Sequence, residues 1–225
     1  MRPSLRETLL RNAVSLFSRS GYNAVSLRDI AKASGANVGS LTYHFGSKAN
    51  LLREIYERHT KPMNARRLEL LGEARRISDP DERLAAVLRA YVVPAFTSSS
   101  EGDGGGAEFT RMRAVLSAEG NPDARQIIAD AFDETSRAFI DALAGCVPGA
   151  PLEGLVWRSQ FLLGALYYAL VNPERVTRLS EGAVNGEDRE AAVHQIVEAS
   201  YASFRSLAAG TGSPAADNLI QGRTA

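Results

Sequence analysis

Asn37, Thr42, Tyr43 and His44 fall within eight residues of one another, and each can hydrogen-bond a phosphate or a base edge. Gly39, between them, would let a backbone approach closely. Val38 is an apolar residue suited to a thymine methyl if it faces outward. Lys48 follows where a further helix should begin, and its charge beside the free N–H groups of a helix start suits a phosphate. Taken together, these residue types describe a surface that reads nucleic acid. Taken singly they read otherwise: Tyr43 and His44 as ordinary helix-surface residues, Lys48 as a solvated charge.

No comparable set supports catalysis. His44, His59 and His194 are isolated, with no H-x-x-x-H or C-x-x-C spacing for a metal. There is no P-loop, no G-x-G-x-x-G after a strand and no G-x-S-x-G elbow. Cys146, beside Val147 and Pro148, reads as a small buried or loop residue, and a single cysteine permits no internal disulfide. We therefore expect no enzyme, no metal and no cofactor.

Helices must position these residues, because helical spacing is nearly everywhere and period-two alternation almost nowhere. Leu9, Ala13, Leu16 and Phe17 share one helical face, and Gly21 can stop that helix. Ser26 and Asp29 form a capping pattern for a second helix, with Leu27, Ile30 and Ala31 behind it. Gly35 ends it. Asn37 can cap a third helix running to about Phe45, with Leu41 and Phe45 turned inward. Ser47 can cap a fourth, whose inner face carries Leu51, Leu52, Ile55, Tyr56 and His59. Pro62 should kink or break that helix, and the domain junction is expected there. Beyond it, helices are expected over about 79–96, 107–118, 121–145, 152–171 and 187–208, about nine in all. Residues 98–106, SSSEGDGGG, should be a flexible loop, as should 172–186, and the tail 210–225 should be disordered. The expected architecture is all-α: a helix-turn-helix DNA-binding domain over 1–60, then a helical ligand-binding and dimerisation domain over 61–209.

The stretch SLRDIAKASGANVGSLTYHFGSKANLLREIY, residues 26–56, resembles the tetracycline-repressor (TetR/AcrR) family of bacterial transcription factors. It carries the capped helix, the glycine turn, the recognition helix and an aromatic-x-x-Lys entry into the fourth helix. The resemblance is close over about residues 5–60 and architectural beyond. It implies that Ser26 and Arg28 touch the phosphate backbone, and that Lys48 anchors a phosphate. Asn37, Val38, Gly39, Thr42, Tyr43 and His44 would face the major groove. The family often has Tyr or Trp where this chain has Thr42, and Lys where it has Val38, so the operator sequence should differ. It further implies a homodimer on a palindromic double-stranded operator, released by a small effector.

The expected dimer interface lies on the last two long helices, through Trp157, Leu162, Leu166, Val197, Tyr201 and Phe204; intramolecular core is the competing reading for each. Phe96, Phe109, Met112, Leu116, Phe132, Phe161 and Tyr168 are candidate ligand-pocket residues between the middle helices, again with ordinary core as the alternative. Arg111, Arg113 or Arg158 would meet an acidic group. Residues 155–166 are weakly similar to family members tied to lipid metabolism, which implies a hydrophobic, acyl or lipid-like effector. The rival to an operator-binding repressor is a helical ligand-binding or protein-interaction module that binds no specific DNA.

Charge separates the two parts. The whole chain balances 26 basic against 26 acidic residues. Residues 1–60 hold nine basic and four acidic residues, and the remainder 17 and 22, giving +5 and −5. A uniformly basic coat protein and a polybasic membrane binder are excluded. The longest apolar run, Phe161–Val171, spans 11 residues, against the ~20 a membrane helix needs. Arg6, Glu7 and Arg11 interrupt the N-terminal stretch, which lacks a signal-peptide core. A cytoplasmic location and no membrane partner are expected.

Overall fold

The computed structural model describes residues 3–96 and 106–208. Residues 98–105 of the loop expected over 98–106, and the expected tail, lie outside the described residues. Ten helices are described: α1 (Leu5–Ala24), α2 (Leu27–Ala33), α3 (Val38–Phe45), α4 (Lys48–Ala74), α5 (Pro80–Phe96), α6 (Ala107–Glu119), α7 (Pro122–Cys146), α8 (Leu152–Val171), α9 (Glu174–Leu179) and α10 (Arg189–Ala208). The fold is all-α.

Side-chain caps set the helix starts. Ser4 with Glu7, and Ser26 with Asp29, form reciprocal capping boxes. The oxygens of Asn37, Ser47 and Asn121 cap α3, α4 and α7, the last with proline in its first turn. Asp79 accepts from the N–H groups of Asp81 and Glu82 and opens α5. Gly21, at φ 80° and ψ 171°, leaves helical geometry and bends the last turn of α1 away.

Two expectations change. The fourth helix does not end at Pro62: α4 continues to Ala74. The proline loses one backbone bond, at ~3 kcal/mol in a helix interior. Buried side chains on both sides, Tyr56 and Met63 through Leu71 and Ala74, offset that cost. The expected loop at 172–186 contains α9, six residues long, too short to show a period; this makes ten helices where about nine were expected.

Burial divides the interior into two apolar cores. A head core joins α1–α3 and the first half of α4 to α6 and the first half of α7, through Phe17, Leu41, Phe45, Ile55, Phe109 and Phe132. A body core joins the end of α4, α5, the second half of α7, α8 and α10, through Leu88, Tyr91, Phe139, Leu166 and Phe204. Both cores draw on α4 and α7. The expected junction at residue 60 therefore falls inside a continuous helix, and α6, distant in sequence, packs into the head.

Candidate nucleic-acid interface

The α2–α3 corner is held by local hydrogen bonds. The N–H of Ser34 donates to Ile30 O at 3.1 Å, and that of Ala36 to Ala31 O at 2.9 Å; Gly35 supplies the left-handed residue at φ 64°. Asn12 on α1 donates to Ala33 O at 3.1 Å and to the Ser34 hydroxyl at 3.0 Å, pinning the corner from behind. Ile30, Ala31, Leu41 and Phe45 are buried in the head core. The opposite face of α3 is left to solvent, and Tyr43 is 87% exposed there. Gly39 and Thr42 are exposed beside it, and the half-buried His44 ring meets Tyr43 edge-on at 5.5 Å.

Lys48, the first residue of α4, is half-buried, with Nζ 4.2 Å from the centre of the Tyr22 ring. Burial pulls its pKa below the usual lysine value, while the charges of Glu119 and Asp29 work the other way. Arg28 is exposed at the start of α2. Behind α3, Arg6 lies over the Phe45 ring at 5.5 Å and pairs with Glu54 on α4 at 2.7 Å.

Three of the residues expected at the groove are otherwise engaged. Val38 is half-buried against the head core, so the outward-facing reading is corrected: the first turn of α3 lies too close to the core to leave it free. The Asn37 side-chain oxygen accepts from the Ser40 N–H at 2.8 Å and the Ser40 hydroxyl at 3.1 Å, leaving only its amide N–H groups to face DNA. The Ser26 hydroxyl accepts from the Asp29 N–H at 3.2 Å and donates to the Asp29 carboxylate at 2.5 Å. Those bonds to Ser26 hold the Asp29 carboxyl below the usual range.

Within this head, a tie that sequence spacing could not reveal joins the end of α1 to the α6–α7 corner. The Glu119 carboxylate accepts from the N–H groups of Tyr22, at 2.6 Å, and Asn23, at 3.2 Å. Asn121 donates to the Asn23 side chain at 2.8 Å. Gly21 is needed twice over, for its positive φ and because a Cβ there would strike the Glu119 carboxylate. Nearly a hundred residues separate the partners, and no local pattern announces them.

Residues 9–55 match the family of bacterial regulatory proteins of the tetR type, and residues 89–202 match the tetracyclin repressor-like C-terminal domain. The chain belongs to the TetR family. It is 37% identical over 94 residues to the HTH-type transcriptional regulator AcrR of Shigella flexneri, covering 42% of this chain and 41% of AcrR. The matched stretch thus spans less than half the length of that relative. In fold it is similar to the TetR family regulator PfmR of Thermus thermophilus (TM-score 0.54, 22% identity, 84% of this chain and 97% of PfmR). It is likewise similar to FadR of Bacillus subtilis, solved with stearoyl-CoA (TM-score 0.50, 15% identity, 91% and 98%).

Within this TetR-family chain the expected pocket and interface residues sort by burial. Phe109, Met112, Leu116 and Phe132 are buried in the head core, and Phe96 in the body core. Phe161 and Tyr168, expected in the pocket, are instead 63% and 55% exposed on α8, because they lie on the helix face opposite Leu162 and Leu166. Conversely, Leu162, Leu166, Val197 and Phe204, expected at the dimer interface, are buried between α5, α8 and α10 and cannot meet a second copy. Tyr201 is half-buried against the same core. Of the expected interface, Trp157 faces outward, its ring 5.9 Å from that of Phe161.

A groove of about 1040 Å³ runs between α4 and α5, past Ala65, Leu70, Ile77, Ala86 and Val93, and none of the expected pocket residues lines it. Arg111 donates to Leu170 O at 2.9 Å, and Arg158 to the hydroxyls of Ser203 and Ser206. Arg113 is buried. Among the described residues no helix is long and apolar enough to cross a membrane.

Proposed function

We propose that the chain is a ligand-responsive repressor that binds a palindromic DNA operator as a homodimer, in the cytoplasm, and leaves it when a small effector binds. The observation that carries this reading is the exposed face of α3. Gly39, Thr42 and Tyr43 stand clear of a well-packed, capped helix pair, with His44 half-buried beside them and Arg28 and Lys48 flanking them as cations. Tyr43, Thr42 and the Asn37 amide are the base-edge and sugar–phosphate readers; Arg28 and Lys48 hold phosphates. The positive head, +5 over residues 1–60, supports a salt-dependent attraction to the duplex.

Dimerisation is assigned to the outer face of α8. Trp157, Phe161, Tyr168 and Val171 recur there at helical spacing, with Gly164 and Ala165 exposed among them. A contiguous apolar face of this kind calls for a partner, and a second copy would present two recognition helices to successive major grooves about 34 Å apart. That a regulator of the same fold was solved with stearoyl-CoA supports a small-molecule effector.

The test is selection of bound duplexes from a random pool by the full chain. Enrichment of a two-fold symmetric site is the expected result. A folded protein that enriches no site would establish instead a helical ligand-binding or interaction module without specific DNA binding.

A further inference from the structure

The seam between the two cores is cationic. Arg67 on α4 is 1% exposed and Arg113 on α6 is 3% exposed. Neither forms an ion pair with any described carboxylate; the described pairs all join other residues. Arg67 spends Nε and Nη2 on one carbonyl, Tyr91 O, at 3.2 and 3.0 Å. Arg113 donates Nε to the Tyr167 hydroxyl. Both guanidiniums lie over the same Phe132 ring, at 5.9 Å and 3.9 Å from its centre.

Two buried like charges with no counter-charge are costly, because the bonds to Tyr91 O and the Tyr167 hydroxyl and the contacts with the Tyr91, Phe132 and Tyr167 rings repay the lost hydration only in part. Arg67 Nη1, the Tyr56 hydroxyl and the Asn64 side-chain oxygen are buried here without a hydrogen-bond partner. Well-formed interiors leave few such atoms; this seam holds three, two of them donors. Burial pulls the Arg67 pKa down to about 10, which still leaves it charged at neutral pH. Burial works against ionisation of Tyr91, yet the charges of Arg67 and Arg113 and hydrogen bonds from Ser136 and Arg113 together outweigh it, and the phenol sits below its usual range. These are the marks of a positive interior site. The walls are apolar and aromatic: Tyr56, Phe109 and Phe132 on the head side, Tyr91 and Tyr167 on the body side.

We infer that this seam binds a small organic anion, an acid with an apolar body, whose carboxylate or phosphate oxygens take Arg67 and Arg113. The Tyr56 hydroxyl adds a third donor. Charge-assisted bonds to guanidinium suit planar oxyanions, and desolvation inside the seam strengthens them. The site touches α4, α5, α6, α7 and α8, and of these α4 and α7 contribute to both cores. Occupancy would therefore act where head and body meet. This names the ligand class for the effector in the reading above and rests on that reading only for its regulatory consequence.

The experiment measures binding to the full chain by calorimetry and melting, with sodium decanoate, decyl phosphate and the neutral isostere decanol as probes. Wild type should bind one or both anions, the two arms telling carboxylate from phosphate. It should bind decanol at least about tenfold more weakly, as loss of a charge-assisted bond requires. Arg113→Gln should lose about tenfold or more in anion affinity with unchanged helical circular dichroism, and Arg113→Lys should keep part of it. Arg67→Lys supplies the same comparison if Arg113→Gln does not fold. Decanol binding as tightly as the acids, unchanged anion affinity in Arg113→Gln, or no binding of either anion to folded wild type would each overturn the inference. DNA binding by the same samples separates the two readings. Operator binding by a protein that binds neither anion would sink the anion site and spare the repressor; anion binding without any DNA binding would do the reverse.

Discussion

At the residue scale the interface depends on a few side chains with nothing to pack against. Tyr43 is 87% exposed on a short helix whose stability comes from Leu41 and Phe45 on its other side. Tyr43→Ala should therefore lower operator affinity by about 1–3 kcal/mol, as for one base-edge contact, with the melting temperature unchanged. Unchanged binding in a gel-shift assay would remove Tyr43 from the groove. Lys48 differs in kind, because the Tyr22 ring already holds its ammonium in place at 4.2 Å. Lys48→Ala should weaken binding to all sequences alike and lower the salt slope by about 1; a loss confined to one base position would contradict a phosphate contact. Val38, which packs on the core, and Asn37, which caps the helix as expected, sit at the start of α3. There the competition between capping the helix, packing on the core and touching DNA is settled by position in three dimensions.

At the element scale the informative parts are α4 and the clasp between α6 and the α1–α2 corner. α4 carries Lys48 at its start and Arg67 more than five turns later, and runs unbroken through Pro62, so it links the DNA-reading head to the body. Glu119, at the end of α6, holds the Tyr22 and Asn23 N–H groups. Glu119→Ala would strand both donors and should cost about 1–3 kcal/mol in urea unfolding, while leaving the α3 surface intact. A stability unchanged within roughly 0.5 kcal/mol, the usual effect of a surface substitution, would show that water replaces the carboxylate. Gly21→Ala should also destabilise, since alanine at φ 80° is strained and its Cβ strikes Glu119.

At the scale of the whole molecule, exposed apolar surface is concentrated on the face of α8 that bears Trp157, Phe161 and Tyr168. Trp157→Arg places a charge in that face and should turn a dimer into a monomer by light scattering without unfolding the chain. A stable dimer in this variant would move the interface elsewhere. Monomerisation should also remove high-affinity operator binding, because a single head meets only one half-site.

Sequence alone determined the all-helical class, the capped starts of α2, α3 and α4, and the exposed face of α3. All of these depend on residues close together in the chain: a cap and its N–H, a glycine and its turn, an inward residue four positions from the next. The exposed role of Tyr43 followed from the same short-range rules. What only the tertiary structure decided was which apolar residues of α8 and α10 are core, since helical spacing shows a stripe but not what covers it. Leu162 and Leu166 are buried, while Phe161 and Tyr168 are bare. Nor could sequence pair Glu119 with Tyr22, or bring Arg67 and Arg113 to one aromatic ring. Those contacts join residues tens of positions apart, and their meaning depends on the burial that packing imposes. An arginine is an ordinary surface charge until two cores close around it.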